Sequence, residues 1–144
     1  SVLEHVTDLD TTYAALYRWL RPGGTMSHQI DFKSHGLSPE WNGYRRCSEL
    51  TWKLTLGRRP FLINREPYSV HIDYVRKMGF DIDFELTNIR HDGIARSELS
   101  PRWTHLSDTD LNCSGVFLQA RKPVKAAASG DNERLARYRE ATVA

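Results

Sequence analysis

A helix, a tight turn and a short strand follow one another near the amino terminus, and this succession constrains the fold more than any other feature. Apolar residues recur at every third or fourth position, which predicts an amphipathic helix over 10–20. Pro22 cannot continue a helix, and Gly23-Gly24 can adopt the positive φ of an exit turn. Residues 25–30 then have the pattern of a short strand, followed by the polar segment 31–35. The chain is therefore expected to alternate helix and strand.

Four short segments stand in a characteristic order: SVLEHV at 1–6, LRPGG at 20–24, GFDI at 79–82 and VFLQARKP at 116–123. Together they resemble the class I S-adenosylmethionine-dependent methyltransferases. In that family, such segments mark the end of the fourth strand, the turn into the fifth, the entry to the sixth and the closing strand. The resemblance covers roughly residues 1–123 and implies an α/β fold.

The resemblance implies the carboxyl-terminal part of a Rossmann-like methyltransferase sheet. This part would hold a stub of the fourth strand and then strands five, six and seven, with the last antiparallel. Residues 1–123 would form this partial domain, and 124–144 a polar tail in which 131–142 could form a short helix. In the family, the glycine-rich cofactor loop precedes the segment that resembles 1–6. S-adenosylmethionine is therefore expected to bind mostly outside this chain, with Ser1 and Val2 at the edge of its site.

Polar side chains with catalytic potential are predicted where two strands end. In open parallel sheets, ligands bind outside the carboxyl ends of the strands, so these side chains would face a common crevice. An imidazole transfers protons near neutral pH, and a carboxylate orients it, so one histidine could be the base for O-methylation. The predicted catalytic residues are Glu4, His5, His28 and Asp31. The alternative is that these side chains pack or pair locally.

A metal site is not expected at this edge. Some metal-using methyltransferases of the superfamily, including small-RNA 2′-O-methyltransferases, carry Glu-x-x-Glu-His here, and two carboxylates and an imidazole then hold a divalent ion. In this chain Ser1 stands in place of the first glutamate, which leaves Glu4 and His5. Because hard cations are held by several oxygen ligands, the sequence predicts no metal.

The connection over 33–66 is longer than the ~2–6 residues typical between a strand and a helix. Its aromatic and aliphatic content predicts an ordered lid over the substrate site. Within it, the apolar spacing at 48–56 fits either a capped helix or a strand. The predicted substrate contacts are His35, Trp41, Asn64 and Arg65. Arg65 could clamp an acidic group of the substrate or, equally, pin the lid to the sheet.

Three further elements follow from the apolar patterning. A helix is predicted over 69–78, an edge strand over 80–87 with an apolar inner and a charged outer face, and a final strand over 115–121 between two neighbours. Trp19 is predicted to lie in the core. The solvent-exposed positions are predicted to include His71 and Arg45.

The overall composition excludes several classes of function. A net charge of +2 is too small to indicate a nucleic-acid surface, and no apolar run approaches the ~20 residues that span a membrane. The isolated Cys47 and Cys113 fit reduced thiols in a cytoplasm. The sequence thus predicts a cytoplasmic enzyme that methylates a small molecule, most simply at oxygen. The alternatives are RNA methylation, which the charge disfavours, and a non-catalytic module that acts through protein contacts such as a homodimer.

Overall fold

The chain folds around a three-stranded sheet whose last strand lies in the middle. The computed structural model describes residues 2–59 and 62–124. β1 (Thr25–Asp31) and β2 (Asp81–Ile89) each pair antiparallel with β3 (Cys113–Arg121). β1 and β2 therefore run in the same direction on either side of a reversed strand. This confirms a mixed α/β fold, and it confirms that the last strand is antiparallel and inserted between two neighbours.

Two helices cover one face of the sheet. α1 (Leu9–Trp19) begins at Asp8, whose Oδ1 accepts a hydrogen bond from the backbone N–H of Thr11 at 2.9 Å. α3 (Tyr68–Lys77) packs beside it on the same face. Both helices bury their apolar stripes against the sheet. The core consists of Leu3, Leu9, Tyr13, Met26, Ile30, Phe32, Ile72, Val75, Phe80, Cys113, Val116, Leu118 and Ala120.

The turn after α1 is fixed by the end of β3. Gly23 adopts a φ of 77° and donates its N–H to the carbonyl of Lys122 at 2.8 Å. The Lys122 ammonium in turn donates to the carbonyls of Tyr17 and Leu20, which closes the carboxyl end of the helix. The prediction that Trp19 lies in the core is wrong, since it is 73% exposed. Position 19 lies off the stripe that faces the sheet.

The amino-terminal segment does not form the expected strand stub. Leu3–His5 is a single 3-10 turn that lies against β1. No strand in the described part of the chain pairs with this edge of β1, so the segment satisfies its backbone groups locally, as where the N–H of His5 donates to Val2. The turn buries Leu3 in the core and leaves Glu4 at the end of the sheet.

β2 lies at the edge of the sheet, as predicted, but its side chains change faces part-way along. The pairing with β3 skips Asp83, which forms a β-bulge. Beyond the bulge Phe84 and Leu86 point away from the helices, whereas Glu85 accepts a hydrogen bond from Tyr68 of α3. The predicted charged outer face is therefore wrong beyond residue 83, because a shift of one residue turns every later side chain over.

The segment 33–66 is ordered by its own helices. After a 3-10 turn at Gly43–Arg46, α2 (Glu49–Leu56) begins at Ser48, whose hydroxyl accepts from the backbone N–H of Thr51 at 3.1 Å. The helix was therefore the correct alternative at 48–56. Its buried side chain is Trp52, which packs in a small separate cluster with Tyr44 and Ile63.

Arg45 is completely buried, which corrects the prediction that it is solvated. Its Nη1 donates to the carbonyl of Asp110 at 2.7 Å, in the short helix α4 (Asp108–Asn112). Its guanidinium carbon lies 5.7 Å from the ring centroid of Tyr44 and 5.9 Å from that of Trp103. The helix carbonyl and the two aromatic faces compensate part of the cost of burying this charge.

Cys47 and Cys113 are both free thiols, as predicted. None of the helices within residues 2–59 and 62–124 is long and apolar enough to cross a lipid bilayer. The helix predicted at 131–142 lies outside the described residues.

Candidate functional site

Four ionisable side chains meet beyond the carboxyl end of β1. Asp31 is the last residue of that strand, and its Oδ2 lies 3.9 Å from Nε2 of His35. The Leu3–His5 turn brings Nε2 of His5 within 4.0 Å of Oε1 of Glu4. The rings of His5 and His35 lie edge to face, with centroids 5.2 Å apart. We call Glu4, His5, Asp31 and His35 the edge cluster.

Glu4 is the buried member of the edge cluster. Its residue is 2% exposed, and neither carboxylate oxygen has a hydrogen-bond partner among the described residues. Burying a carboxylate without a partner costs several kcal/mol of folding free energy. Such a group is therefore expected to bind a proton, a cation or a ligand. It faces a small cavity of about 10 Å³ lined by Glu4, Asp31, Phe32, Tyr44, Ile63, Asn64, Arg65 and Glu66.

Asn64 fixes the position of the Leu3–His5 turn. Its Nδ2 donates to the carbonyls of Leu3 and Val6, both at 2.8 Å, and its backbone N–H donates to that of Glu4 at 2.7 Å. Oδ1 of Asn64 accepts from the N–H of Glu66 at 2.9 Å. The amide predicted to contact substrate is thus engaged by the chain itself, and it holds two members of the edge cluster in place.

His35 is held in a backbone conformation that is unusual for its residue type. It has a φ of 50°, and Gly36 continues in the same region with a φ of 83°. A left-handed conformation at a non-glycine residue costs on the order of 1 kcal/mol and is often found where a side chain must be aimed. The loop is closed by a backbone hydrogen bond of 2.6 Å from Ser34 to Trp41.

A groove opens beside the edge cluster on the side of His35. It has a volume of about 460 Å³, which is within the range of small-molecule sites. Nε1 of Trp41 is buried without a hydrogen-bond partner among the described residues. The groove is lined by Asp31, Lys33, Ser34, His35, Gly36, Ser38, Pro39, Trp41 and Arg90. The structure therefore places Asp31, His35 and Trp41 around one groove.

Lys33 and Arg90 are groove residues that the sequence did not suggest. Nζ of Lys33 lies 3.3 Å from Oδ2 of Asp31, and its backbone N–H donates to Oδ1 of the same carboxylate at 2.9 Å. Arg90 pairs with Asp92 directly after β2. The position of Lys33, two residues after Asp31, could have indicated that it lies near this carboxylate. No sequence pattern indicated that Arg90 lines the groove.

Arg65 pins the lid rather than reaching into the groove. Its Nη2 donates to Oε1 of Glu49 at 3.0 Å, and its guanidinium lies 4.3 Å from the ring centroid of Trp52. Glu49 also binds Arg102, so two arginines meet at the start of α2. Burial lowers the pKa of Arg65, and the neighbouring carboxylate opposes this shift. Of the two roles left open by the sequence, the contacts favour the structural one.

His28 lies on the other face of β1 from Asp31, and it lines neither the cavity nor the groove. Its Nε2 is buried without a hydrogen-bond partner among the described residues, and burial lowers the pKa of its imidazole. The structure therefore does not bring His28 into the edge cluster. Of the two residues expected near the cofactor, Val2 is 66% exposed, and Ser1 lies outside the described residues.

His71 corrects a sequence prediction, because it is completely buried rather than on the helix surface. Its Nδ1 is hydrogen-bonded to the hydroxyl of Tyr13 at 3.0 Å, and its ring packs on Phe32. Burial, with a smaller contribution from the charge of His28, lowers the pKa of His71 to about 4. A neutral imidazole thus joins α1 and α3 beneath the sheet.

Comparisons with known proteins give no match to this chain. No model of a protein family matches the chain, and neither a curated protein nor a solved structure matches it. Any assignment of function therefore rests on the residues and the geometry of the chain itself.

Proposed function

We propose that this chain is the substrate-binding, carboxyl-terminal part of an S-adenosylmethionine-dependent methyltransferase that acts on a small molecule, most simply at a hydroxyl oxygen. The observation that carries the proposal is the order β1-β3-β2, in which a reversed last strand lies between two strands of common direction. The family that the sequence resembles closes its sheet with such a reversed strand. The edge cluster lies at the carboxyl end of β1, and in the open parallel sheets that the resemblance implies, ligands bind outside the carboxyl ends of the strands.

The edge cluster has the groups that O-methylation requires. Transfer to a hydroxyl needs a base that takes the proton and a geometry that aligns the oxygen with the donor methyl. In the proposal His35, beside the Asp31 carboxylate, is the base, and the acceptor lies in the groove against Trp41. The adenosyl group is held mostly by residues outside this chain, with Ser1 and Val2 at the edge of its site. His28 has no part in this mechanism.

Calorimetric titration with S-adenosylhomocysteine tests the proposal. It is run on the 144-residue chain and on the protein encoded by the complete reading frame that contains it. We expect binding by the product of the complete reading frame and much weaker binding by the chain alone. Absence of binding by both would refute the methyltransferase assignment.

Turnover then tests the base. Where the product of the complete reading frame releases S-adenosylhomocysteine in the presence of a small-molecule extract, His35→Ala should lower the rate about 100-fold or more, the usual contribution of a general base. His105→Ala is the matched control, since His105 is exposed and lies outside the edge cluster. Equal rates in both variants would exclude His35 as the base.

A second candidate is a module that acts by pairing with another copy of itself. β2 lies at the edge of the sheet, and Phe84, Leu86 and Ile89 are exposed along it. An exposed apolar edge strand is a template for pairing, and a two-fold axis would place two β2 strands antiparallel. Sedimentation velocity should then detect a dimer that Leu86→Lys abolishes and the exposed Val2→Lys retains. A monomer at all concentrations would exclude this candidate.

A further inference from the structure

We propose that Glu4, His5 and His35 form a binding site for one divalent transition-metal ion. Each residue offers one ligand atom, and the three atoms lie within 4.8 Å of one another. Ligand atoms around a bound ion are about 3–3.5 Å apart when the metal–ligand bonds are about 2.1 Å long. Both imidazoles are partly exposed, so small rotations of their rings would close the remaining distance.

The second observation is the carboxylate of Glu4. It is buried, and both its oxygens lack a hydrogen-bond partner among the described residues. Of the nearby polar groups that line the same cavity, the Asn64 amide donates to Leu3 and Val6, and Nη2 of Arg65 donates to Glu49. Nε and Nη1 of Arg65 have no hydrogen-bond partner among the described residues, so they do not bond to the Glu4 carboxylate. A cation held between this carboxylate and two imidazoles would compensate the buried charge.

The prediction of no metal considered only the ligands within residues 1–5, where Ser1 stands in place of a glutamate and leaves the ligand set incomplete. The third ligand instead comes from the loop after β1. The left-handed backbone of His35 turns its imidazole back toward the Leu3–His5 turn, so the ring stands edge to face with that of His5. A ligand so far along the chain cannot be found from local spacing.

The donor set indicates which ions fit. Two imidazoles and one carboxylate suit Mn²⁺, Fe²⁺, Co²⁺ or Zn²⁺, whereas Mg²⁺ and Ca²⁺ prefer oxygen ligands throughout. Three protein ligands leave positions open for water or an acceptor. Asp31, 3.9 Å from Nε2 of His35, is placed to orient that ring.

The site also has a consequence for the reaction, and this step rests on the proposed methyltransferase function. An ion at the edge of the groove would bind the acceptor hydroxyl and lower its pKa. With the metal bound, His35 is a ligand rather than the base, and the Asp31 carboxylate, 3.9 Å from Nε2 of His35, takes the proton in its place. The acceptor class would then be compounds whose hydroxyl can coordinate a metal.

Titration with Co²⁺ tests the site without any cofactor or acceptor. The chain is freed of metal with a chelator, and Co²⁺ binding is followed by its visible absorption and by calorimetry. We expect one ion per chain. Glu4→Gln and His35→Asn should each weaken binding by more than about 100-fold, because loss of a group that only supports a ligand already costs 10–100-fold.

The variants are chosen to keep the fold. Glutamine has the shape of glutamate without its charge, and asparagine tolerates the left-handed backbone at position 35. His105→Ala, at an exposed histidine outside the cluster, should bind Co²⁺ as the parent chain does. Absence of stoichiometric binding, or equal affinity in His35→Asn and His105→Ala, would overturn the proposal. Metal binding without S-adenosylhomocysteine binding would keep this site and remove the methyltransferase assignment.

Discussion

At the scale of single residues, the geometry of the edge cluster depends on a polar side chain, Asn64, that is hydrogen-bonded to the backbone of the chain itself. The end of β1 predicted that Asp31 and His35 lie close together, whereas Glu4 and His5 reach them from a 3-10 turn rather than from the expected strand end. The role of Asn64 could not be predicted, because its partner carbonyls at Leu3 and Val6 lie 61 and 58 residues away. A sequence shows which side chains can donate hydrogen bonds, but it does not show which distant carbonyls need a donor.

Replacing Asn64 by Asp should destabilise the protein by about 2–4 kcal/mol. The substitution keeps the shape but removes both N–H donors and sets a carboxylate against the carbonyls of Leu3 and Val6. Urea unfolding measures the loss. Asn88→Asp, at an exposed position of β2, should change the free energy of unfolding by less than about 0.5 kcal/mol. Equal effects in the two variants would show that Asn64 does not anchor the turn.

The burial of His71 and Arg45 could not be predicted for a related reason. Histidine and arginine are mostly exposed in proteins, so a single sequence favours the surface for both. Each side chain is buried here because it has a specific hydrogen-bond partner. The partner of His71 is the Tyr13 hydroxyl, and that of Arg45 is the Asp110 carbonyl. Such partners become known only when the helices are placed.

At the scale of elements, the patterns that were longest and most regular were predicted best. The stripe of α1 and the apolar run of β3 placed both elements close to their observed bounds. The apolar spacing of α2 fitted two periods, and the Ser48 cap and Gly57 end decide in favour of a helix. The bulge at Asp83 could not be predicted from the sequence, because apolar and charged residues alternate regularly along this part of β2.

Backbone amides of α2 should exchange with solvent much faster than those of α1. α2 buries only Trp52 and leaves Leu50 and Leu54 exposed, whereas α1 packs on the central core. Few buried contacts mean a low free energy of local opening. Hydrogen exchange with mass spectrometry compares the two helices.

The cap of α2 offers a matched control for that comparison. Ser48→Ala removes the acceptor of the Thr51 N–H and should destabilise α2 by about 1 kcal/mol. Exchange in residues 49–56 should then accelerate further, and exchange in 9–19 should stay unchanged. Equal exchange rates of α1 and α2 in the parent chain would contradict independent opening of the lid.

At the scale of the whole molecule, the apolar run over 115–121 predicted a strand between two neighbours, and the resemblance to a family predicted that this strand is antiparallel. Patterning alone does not predict that the two neighbours are β1 and β2. The prediction of a strand stub at residues 1–6 was wrong, because this segment forms a 3-10 turn. In the described part of the chain, no strand pairs with the outer edge of β1. The same open edge places the Leu3–His5 turn, and with it Glu4 and His5, beside Asp31.

The stability of the whole fold should decrease as the pH falls below about 6.5, because of His71. Its pKa is near 6.5 in the unfolded chain and is lowered to about 4 by burial in the folded one. Above 6.5 both states are neutral and the full stability is present. Below it only the unfolded state binds a proton, so stability is lost until the pH reaches about 4. Between pH 7 and 5 the loss is on the order of 2 kcal/mol.

His71→Gln separates this effect from other titrations. Glutamine can keep a hydrogen bond with the Tyr13 hydroxyl, but it does not titrate. Urea unfolding at the two pH values should therefore give a smaller difference than in the parent chain. Part of the dependence should survive, because burial also lowers the pKa of His28. His105→Gln, at an exposed histidine, should keep the whole dependence. If His71→Gln loses as much stability between pH 7 and 5 as the parent chain, the imidazole between α1 and α3 is not the group that couples folding to protons.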